Sequence, residues 1–510
     1  MKNHEYNKLS YYTDRESGDV NEMMQIANKC VNGIICISFY EIDISDYIGN
    51  LFEYEFDEKD SRLKKEYLFA MDYLSNVLSA YKLTGDKKYK DAFTKIISQF
   101  HDYVSDNGPH IDHFPIFAQT LLFVKAMDMD LLPDIPFFLD ILEQYAYWLY
   151  DDDNYFFNNN HGIFVDLALL HIASLLKYHQ DSPKWISHAV KRNNDLFARA
   201  YYDDFTNNEH SLLYFNHNNI MYAKLIDFAA HNNISGFDDM KLKLKKSEET
   251  LREFAHSDLT VPIIGDGSVF KVDSKALESN ESKIYPDFAV AVLRKGDIYL
   301  SLKAKTVYQD HAHMDISSIT LRYKDEDIVL DTGQYNYDRY TPINRYLRST
   351  AGHSGIFPLF ADSFFQEAFC ESFKDQEMLA ECITNPVCRY RVKDLTVSRS
   401  VEIGDDRVLI NDSFSSQKPH TMRQRFIFPE YFINNSKFFI SEKRVELYAK
   451  DFVVEFCVVN SDDYVYIKPS FGVYSPEMKK IESTLILDCI AYGKNNGNIN
   501  MKIDFKKRVM

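Results

Sequence analysis

The hydrophobic period of the chain changes once, near Leu259, and this change limits the fold more than any other feature. Before it, apolar residues such as Met71, Leu74, Leu78 and Tyr81 recur at steps of three and four, which is typical of an amphipathic helix. After it, apolar and polar residues alternate, as in a strand with one buried face. We therefore predict a helical domain over residues 1–257 and an antiparallel β-domain over residues 258–510.

Individual helices and hairpins follow from the same pattern. Helical periodicity covers these stretches of the first part: Glu66–Leu83, Phe93–Val104, Phe138–Leu149, Leu167–Leu176 and Ile220–Ala230. In the second part, predicted strands flank turns at 295–297, 324–327 and 404–406. Helices that come first and strands that follow without alternation argue against a doubly wound nucleotide-binding fold, and no phosphate-binding glycine loop is visible. The predicted fold class is α+β, with consecutive helical hairpins followed by a β-sandwich.

Composition and charge narrow the range of partners. The 510 residues include 58 Lys and Arg against 76 Asp and Glu, which gives a formal net charge of −18. Nucleic acid is therefore not an expected partner. A polyanionic sugar would need a local cationic cleft to overcome the overall field. Aromatic residues make up 15% of the chain, and coding bias explains this excess more simply than stacking on sugar rings does.

The cysteines and the first residues bear on the cellular compartment. The seven cysteines, Cys382 among them, are odd in number and form no Cys-x-x-Cys pair, so neither a disulfide framework nor a thiolate zinc site is indicated. The start of the chain, 1–6, lacks the apolar core of a signal peptide. No apolar run approaches the roughly 20 residues needed to span a bilayer. We expect a cytoplasmic protein, or a periplasmic or secreted one if a leader was removed.

Two motifs in the helical part carry groups that suit acid–base chemistry. Asn158-Asn159-Asn160-His161-Gly162 precedes a helix, where such a run often supplies only caps and turns. An amide beside an imidazole can also hold a carboxylate. Glu209-His210-Ser211-Leu212-Leu213-Tyr214 follows about fifty residues later. Its tyrosine is either a core residue or a proton donor to a sugar oxygen, and donation requires surroundings that lower the phenol pKa from about 10.

A third motif, His311-Ala312-His313-Met314-Asp315, is of the metal-binding type. At a strand start, positions 311, 313 and 315 would point to one face and bring three metal-capable groups together. Asp331 follows the next hairpin, and His353 lies beyond it. Two imidazoles and a carboxylate suit zinc, with a water or a fourth group completing the tetrahedron. A His–Asp hydrogen-bond network without a metal accounts for the same residues.

Taken together and in this order, the motifs resemble the heparinase II/III-like polysaccharide lyases, whose relatives act on heparan sulfate, alginate and other uronates. The resemblance covers most of the chain and includes the Pro262-x-x-Gly265-Asp266 turn between the second and third motifs. It implies an incomplete α/α toroid followed by an antiparallel β-sandwich, with the active site in the cleft between them. It also implies β-elimination next to a uronic acid, which yields a 4,5-unsaturated uronate.

The resemblance assigns roles to single residues. Asn160 and His161 would bind and neutralise the uronate carboxylate. Tyr214 would protonate the departing O4 oxygen, and His311 would face the cleft. Either His161 or Tyr214 would remove the C5 proton. A structural zinc set used by some relatives is matched by His313, Asp331 and His353, and no organic cofactor is implied.

Further candidates for substrate binding lie near these motifs. Arg345 and Arg348 could supply the local positive field, although an ordinary solvated pair is the simpler interpretation. Tyr337 and Glu209 are candidates for lining the cleft. The motifs depart from the family pattern at Gln309-Asp310, where glycine is more usual before His311, and this leaves the identity of the sugar open.

Two other functions fit parts of the sequence. A glycoside hydrolase on a similar toroid needs two carboxylates, and Asp203, Asp204 and Glu209 are candidates, but the Asn-His, Tyr and His-x-His residues have no role in that mechanism. A non-catalytic protein that binds cell-surface or capsular polysaccharide would tolerate loss of Tyr214 or His161, yet both are present. The sequence leaves open a homo-oligomer, the linkage and sulfation of the sugar, and endo or exo action.

Overall fold

The chain forms two compact units in the computed structural model, which describes residues 5–9, 11–14, 18–37, 40–56, 61–273, 281–379, 383–434, 437–459 and 465–508. The first unit comprises Met1–Ala200 and Ile220–Leu244, and the second comprises Tyr201–Asn219 and Lys245–Met510. The segments 201–219 and 245–257, which the change of period placed with the helices, therefore count with the second unit.

Helices come first along the chain. They are α1 (Val20–Val31), α2 (Ser61–Ala70), α3 (Asp72–Thr84), α4 (Lys87–Asn107), α5 (His113–Asp128), α6 (Ile135–Tyr150), α7 (His161–Leu175), α8 (Ser182–Ala200), α9 (Leu212–His231) and α10 (Asp238–Arg252). A short hairpin of β1 (Ile34–Ile37) and β2 (Tyr40–Asp43) lies between α1 and α2. The predicted helical stretches correspond to α2 and α3, α4, α6, α7 and α9.

Two helices of the first unit, α5 and α7, are buried on all sides. Every residue from Pro115 to Met127 in α5 and from Gly162 to Leu175 in α7 is buried, whereas α4 and α8 bury one face only. A helix that is apolar all round belongs inside a protein. Accordingly, α5 packs against α3 and α7. The unit is thus a double layer of helices.

The predicted single helix over Glu66–Leu83 is wrong. The chain breaks at Met71, which has a φ of 56° and separates α2 from α3. A left-handed φ in a non-glycine residue interrupts a helix without changing the spacing of the apolar residues. The periodicity on both sides of Met71 therefore gave no sign of the break.

The second unit contains most of the strands, in an antiparallel arrangement. A two-stranded sheet pairs β3 (Thr260–Val261) with β4 (Phe270–Lys271). A five-stranded sheet has the order β5 (Lys283–Tyr285), β6 (Val290–Lys295), β7 (Ile298–Lys303), β8 (Ile319–Tyr323) and β9 (Glu326–Val329). Two of the predicted turns lie between β6 and β7 and between β8 and β9, and the third, at 404–406, connects two paired strands of the larger sheet.

The larger sheet has ten strands built around two long ones. Its strands are β10 (Ile356–Pro358), β11 (Phe373–Leu379), β12 (Val387–Val392), β13 (Leu395–Ile403), β14 (Arg407–Phe428), β15 (Phe438–Ile440), β16 (Arg444–Tyr448), β17 (Phe452–Val459), β18 (Val465–Tyr474) and β19 (Glu482–Lys507). Its order is β11-β12-β13-β14-β19-β17-β16-β15, with β10 paired to β14 and β18 to β19. Two short helices, α11 (Pro342–Arg348) and α12 (Gln366–Ser372), lie between the sheets in sequence.

One hydrophobic core joins the two larger sheets. It includes Leu300 and Leu321 of the five-stranded sheet and Val401, Phe426 and Met501 of the ten-stranded sheet, all at most 1% exposed. Two sheets that share their inner faces form a sandwich. The predicted order of helices first and an antiparallel β-sandwich afterwards is therefore confirmed.

A buried arginine fixes two loops to this sandwich. Arg399 is fully buried and pairs with Asp412 through Nε and Nη2, at 2.8 and 2.7 Å. Its Nη1 donates to the carbonyl oxygens of Ser317 and Ser354, at 2.7 and 2.9 Å. These carbonyls belong to the loops that follow His313 and His353, so both histidines have a rigid support.

Six of the seven cysteines are free thiols, and Cys382 lies outside the described residues. Residues 1–4 of the predicted non-signal start also lie outside them. Among the helices that the structure describes, none has the length and apolarity needed to cross a membrane.

Candidate active site

Tyr214 lies in the first turn of α9, on the part of that helix that belongs to the second unit. Ser211 precedes the helix, and its Oγ accepts the backbone N–H of Tyr214 at 3.2 Å. The same hydroxyl donates to the carbonyl oxygen of Asp266 at 2.5 Å. Serine is a favoured residue before a helix because its oxygen satisfies an unpaired N–H of the first turn. Here it also ties Tyr214 to the Asp266 turn.

The ring of Tyr214 is stacked on the imidazole of His311. The ring centroids are 3.3 Å apart and the planes differ by 12°. The phenol hydroxyl lies 3.5 Å from that of Tyr337, whose side chain is 45% exposed. The structure therefore brings together three of the predicted site residues: Tyr214, His311 and Tyr337.

The phenol pKa moves in the direction opposite to the one expected from the sequence. Burial raises the pKa of Tyr214 well above its ordinary value of 10.0, and the nearby Tyr337, Asp266 and Glu209 raise it further. A buried phenolate would have lost its hydration beside these groups. Tyr214 is consequently protonated throughout the neutral pH range.

Asp266 connects the two histidines of the third motif. Its Oδ2 lies 3.1 Å from Nδ1 of His311, and its Oδ1 lies 2.8 Å from Nε2 of His313. Arg348 donates to Oδ1 from Nη1 at 2.6 Å. Burial alone would raise the pKa of this carboxyl, but Arg348 and the two imidazole hydrogen bonds hold it well below 3.8. Asp266 is thus ionised, and each histidine donates a ring N–H to it.

A glycine allows this carboxylate to reach the histidines. Gly265 has a φ of +70°, and a Cβ at this position would lie 2.6 Å from the carbonyl oxygen of His210 and 2.7 Å from that of His311. Only glycine permits both the left-handed backbone and so close an approach. The next residue, Asp266, donates its N–H to the carbonyl of His311 at 2.8 Å.

The proposed strand geometry of the His311–Asp315 motif is wrong. These residues form turns and coil, and β8 starts only at Ile319. His311 and His313 still reach one carboxylate, because Asp266 lies between them. Asp315 instead accepts a hydrogen bond from Thr306 at 2.8 Å. The convergence results from a residue 45 positions away in sequence rather than from strand alternation.

The interpretation of Arg348 as a solvated residue is wrong, whereas its contact with substrate stays a prediction. The residue is 8% exposed. Besides Asp266, its guanidinium donates to the carbonyls of Asp310 and Ala312 and to Oε1 of Gln366, at 2.8, 2.9 and 2.9 Å. Its donors are used within the protein, so Arg348 positions Asp266. By contrast, Arg345 is exposed, and its guanidinium lies 4.5 Å from the ring centre of Phe365.

Arg345 lines a surface cavity of about 840 Å³ together with Tyr308, Arg339, Tyr340 and Phe365. Arg339 donates to the carboxylate of Asp310, the residue before His311, at 2.7 Å. The loops 308–311 and 337–345 therefore contribute to both the Tyr214–His311 pair and the cavity. A role for Arg345 in substrate binding stays a prediction.

Glu209 is a buried acid close to His311. It is 5% exposed, and its N–H donates to the side chain of Asn207 at 3.1 Å. Burial raises the pKa of the Glu209 carboxyl, and the proximity of His311 partly opposes that rise. Glu209 therefore places a carboxyl close to His311. Its predicted contact with substrate stays a prediction.

His313, Asp331 and His353 form a fully buried cluster whose ligand atoms all lie within 4.8 Å of one another. His313 donates Nε2–H to Asp266, which leaves Nδ1 as a lone pair, and this atom has no hydrogen-bond partner among the described residues. His353 contacts Asp331 through Nδ1 at 3.1 Å, and within the same part of the chain its Nε2 likewise has no hydrogen-bond partner. Buried nitrogens without partners are costly unless something binds them.

This donor set fits zinc. Two imidazole nitrogens and a carboxylate oxygen are common zinc ligands, and a ligand histidine usually gives its other N–H to a carboxylate. Asp266 has that role for His313. The residues that the sequence assigned to a metal are therefore the ones that meet.

Asn160 and His161 lie in the first unit, at the start of α7. The N–H of His161 donates to the side chain of Asn159 at 3.0 Å, so Asn159 is the capping residue of the Asn run. Nδ1 of His161 lies 2.5 Å from Nε2 of His113. Nδ1 of His113 in turn lies 2.6 Å from Oδ1 of Asp112. The roles of Asn160 and His161 stay predictions.

Sequence reasoning missed two residues with clear roles in these clusters. The sequence pattern places Asp266 only in a turn, although a single acid after a glycine in a turn is a usable signal. His113 stands in Asp112-His113-Phe114-Pro115 before an apolar run, which is easily taken for an ordinary helix start. Its partner is 48 residues away, and no local pattern shows that pairing.

Comparison with known proteins supports the resemblance inferred from the motifs. Residues 278–462 match the family described as "Heparinase II/III-like, C-terminal". No curated protein matches the chain closely enough in sequence to count as a relative. The predicted resemblance is therefore confirmed for this part of the chain.

Several solved structures share the fold over nearly the whole chain. A crystal structure of heparinase III has a TM-score of 0.79 at 14% identity and covers 100% of this chain and 88% of its own. A mutant of the heparan sulfate lyase HepC from Pedobacter heparinus gives 0.71 at 15%, covering 100% and 87%. The chondroitin AC lyase of Streptomyces coelicolor A3, in complex with chondroitin sulphate, gives 0.63 at 8%, covering 98% and 81%. The predicted fold class, an incomplete α/α toroid followed by an antiparallel β-sandwich, is confirmed.

Proposed function

We propose that this chain is a carbon–oxygen lyase that cleaves a uronic-acid-containing polysaccharide or oligosaccharide by β-elimination and leaves a 4,5-unsaturated uronate. The observation that carries the proposal is the stacked pair of Tyr214 and His311, supported from behind by the ionised Asp266. The match of residues 278–462 and the shared fold of solved polysaccharide lyases support the same reaction class.

Tyr214 is the proposed proton donor to the leaving O4 oxygen. β-Elimination expels this oxygen as an alkoxide, which is a stronger base than a phenolate, so proton transfer from a phenol is favourable. The raised pKa of Tyr214 keeps the hydroxyl protonated before the reaction, so the transfer relies on the basicity of the departing alkoxide and not on a lowered phenol pKa. The stack on His311 and the Ser211 cap restrict where this hydroxyl can lie.

His311 is the proposed polar contact beside the donor. Because Asp266 is ionised and accepts only, Nδ1 of His311 carries the hydrogen in that bond. The imidazole is thereby fixed in orientation, and its Nε2 is the atom left for a substrate oxygen. Preorganised groups of this kind stabilise charge that develops in the transition state without rearranging during the reaction.

Asn160 and His161 are the proposed ligands of the uronate carboxylate. The C5 hydrogen of a uronate is barely acidic while the neighbouring carboxylate carries its full charge. Hydrogen bonds from an amide and an imidazole would spread that charge and stabilise the enolate-like intermediate. The base that removes the C5 proton is His161 or Tyr214.

His313, Asp331 and His353 are the proposed ligands of a zinc ion. When bound there, the metal supplies a fixed positive charge and cross-links the loops that carry these residues. The metal would hold His313, and His313 would hold Asp266 through its other nitrogen. The metal site would therefore preserve the position of the carboxylate that orients His311. We propose a structural role for it.

A glycoside hydrolase is less well supported by the placement of the candidate acids. Asp204 accepts hydrogen bonds from the N–H and Oγ1 of Thr206, at 3.1 and 2.5 Å, and from the N–H of Asp287 at 3.0 Å. It therefore has a structural role in its turn. Glu209 is buried, and the two carboxylates that act on it, Asp310 and Asp266, are paired with Arg339 and Arg348.

The test is an ultraviolet assay for the unsaturated uronate with a panel of alginates, glycosaminoglycans and capsular fragments. Wild-type protein is expected to raise the absorbance with at least one substrate, and Tyr214→Phe is expected to abolish that rise. Tyr492→Phe, at an exposed tyrosine of the ten-stranded sheet, is the matched control. New reducing ends without absorbance would indicate a hydrolase. Binding without any cleavage would indicate a sugar-binding protein.

A further inference from the structure

Asp112, His113 and His161 form a continuous line of short contacts in the first unit. Nδ1 of His113 lies 2.6 Å from the Asp112 carboxylate, and Nε2 of His113 lies 2.5 Å from Nδ1 of His161. His113 opens α5 and His161 opens α7, two helices that pack together. The packing of these two helices therefore fixes the arrangement. It includes His161, for which the proposed function already gives a role in the reaction.

The chemistry of the three groups determines where the hydrogens lie. An ionised carboxylate only accepts, so Nδ1 of His113 carries a hydrogen. Nitrogens 2.5 Å apart share one hydrogen, because two facing hydrogens or two facing lone pairs would repel each other. If that hydrogen is on Nδ1 of His161 and both rings are neutral, then Nε2 of His161 is a lone pair. This is the tautomer that a base requires, and it leaves no N–H on His161 for the uronate carboxylate, so the hydrogen bond to that carboxylate comes from Asn160 and His161 acts as the base instead.

The residues around His113 and His161 favour one position for the hydrogen between the two rings. The ring of Phe156 lies 4.4 Å from that of His113 and 5.4 Å from that of His161, between ring centroids. Gly162 permits this close approach, since a Cβ there would lie 2.7 Å from the carbonyl oxygen of Phe156. The side chains of His113 and Asp112 are 16% and 23% exposed. With little competing water, hydrogen bonds in such a chain strengthen one another.

The Asp112 carboxyl is ionised at neutral pH. The close contact with His113, 2.6 Å from Nδ1 to Oδ1, lowers its pKa below 3.8, against the opposing effect of burial. An ionised partner stabilises a positive charge on His113 and, through the shared hydrogen, a charge acquired by His161. In this respect the arrangement resembles the general pattern of a base oriented by a second residue that a carboxylate supports.

We propose that Asp112 and His113 are positioning residues that make His161 the base of the reaction and accept the charge that it takes up. This rests on the proposed lyase function. In the step, the C5–H bond of the uronate breaks, its proton bonds to Nε2 of His161, and its electron pair enters the enolate of the carboxylate. The hydrogen on Nδ1 of His161 passes to Nε2 of His113, so the positive charge lies against Asp112. The enolate then collapses to a C4–C5 double bond, the C4–O4 bond breaks with its electron pair on O4, and Tyr214, which is protonated, delivers its hydrogen to that oxygen.

The kinetic test compares Asp112→Asn with Asp102→Asn in the full-length protein, on the substrate that gives the unsaturated product. Asp102 lies 3.4 Å from His101 in an exposed Asp–His pair and so controls for loss of such a contact. Asp112→Asn is expected to lower kcat about 10- to 100-fold and to change KM by less than about twofold. Asp112→Glu is expected to recover part of kcat. Wild-type kcat in a folded Asp112→Asn variant, or a change confined to KM, would overturn the proposal.

Nuclear magnetic resonance provides a second readout that a merely structural role would not move. In protein labelled with heavy nitrogen in histidine, the shared hydrogen is expected to give a strongly downfield signal that is lost in His113→Gln and displaced in Asp112→Asn. Absence of this signal from wild-type protein would contradict the shared hydrogen. The resonance measurement needs no substrate, so it tests the positioning proposal independently of the lyase proposal. The lyase proposal fails separately, if wild-type protein makes no unsaturated product.

Discussion

The ring of Tyr214 lies flat against the imidazole of His311, with centroids 3.3 Å apart and planes 12° from parallel. A flat stack holds the phenol in one plane, while the Ser211 cap holds the start of its helix. His311 is in turn held by Asp266, which Arg348 and His313 anchor from the other side. The position of the proposed proton donor is therefore determined by a chain of buried polar contacts within one unit.

Asp266→Asn is expected to damage both stability and activity. The substitution keeps the shape but removes the charge, which leaves the buried guanidinium of Arg348 without its counterion. Removing one partner of a buried pair costs about 3–5 kcal/mol, so the thermal midpoint of the second unit should fall by about 5 °C or more. Differential scanning calorimetry gives the midpoint, and the ultraviolet assay gives the rate.

The control for this variant is Asp375→Asn, which removes an exposed pair with Arg391 whose side chains are 58% and 53% exposed. Exposed pairs contribute about 0–1 kcal/mol. If Asp266→Asn were as stable and as active as this control, Asp266 would have no organising role.

Protein purified without chelator is expected to contain about one zinc ion per chain. The expectation follows from the two buried histidine nitrogens without partners, on His313 and His353. His353→Gln should abolish the metal and lower the thermal midpoint. His420→Gln, which removes a different His–Asp contact of 3.0 Å, should leave the metal in place. The measurements are elemental analysis of the purified protein and a chelator titration followed by the thermal midpoint. If wild-type protein contained no metal and the chelator left its thermal midpoint unchanged, the three residues would form a hydrogen-bond network without a metal.

Arg345→Ala is expected to weaken substrate binding without slowing the chemical step. Arg345 lies in α11, and its guanidinium is exposed above Phe365. Loss of one exposed cation should raise KM for a uronate substrate about 3- to 10-fold at low salt, less at high salt, and leave kcat unchanged. Arg389→Ala, also exposed, is the control. A fall in kcat with constant KM would place Arg345 in the reaction instead.

His171 makes the stability of the first unit dependent on pH. It is fully buried, accepts the N–H of Thr13 on Nε2 at 3.0 Å, and donates Nδ1–H to the carbonyl of Leu167 at 2.7 Å. Burial lowers its pKa from 6.5 to about 3. Because the folded state holds the neutral form, this contribution is complete above pH 6.5 and is lost as pH falls toward 3.

Between pH 7 and pH 5, the free energy of unfolding should therefore fall by up to about 2 kcal/mol through this residue. His171→Gln keeps an acceptor and a donor but does not titrate, so its stability should change less over that range. His231→Gln is the matched control, because His231 is exposed and makes the same contact with the carbonyl four residues earlier. Equal pH dependence in wild type and His171→Gln would contradict this account.

Features that depend on neighbours in sequence could be predicted well. The helices around Phe100 and Leu142 and the three turns of the β-part follow from local periodicity, and the structure contains them. The metal-type residues His313, Asp331 and His353 were found because imidazole and carboxylate groups are recognisable by type wherever they lie.

Features that depend on long-range contacts could not be predicted from the pattern. Asp266 is 82 residues from Arg348, and His113 is 48 residues from His161. Arg348 was expected to be solvated, because nothing near it in sequence shows a buried counterion. The His311–Asp315 strand was wrong for the same reason, since the loop is shaped by Gly265 and Asp266 rather than by its own alternation.

The most direct test of the central claim is the reaction in water enriched with heavy oxygen, followed by mass spectrometry of the products. β-Elimination adds no water, so the account predicts a new uronate end that is lighter than the hydrolysis product by one water and carries no heavy oxygen. Tyr214→Phe should give neither product. Incorporation of heavy oxygen at the new chain end would show hydrolysis and would contradict the account.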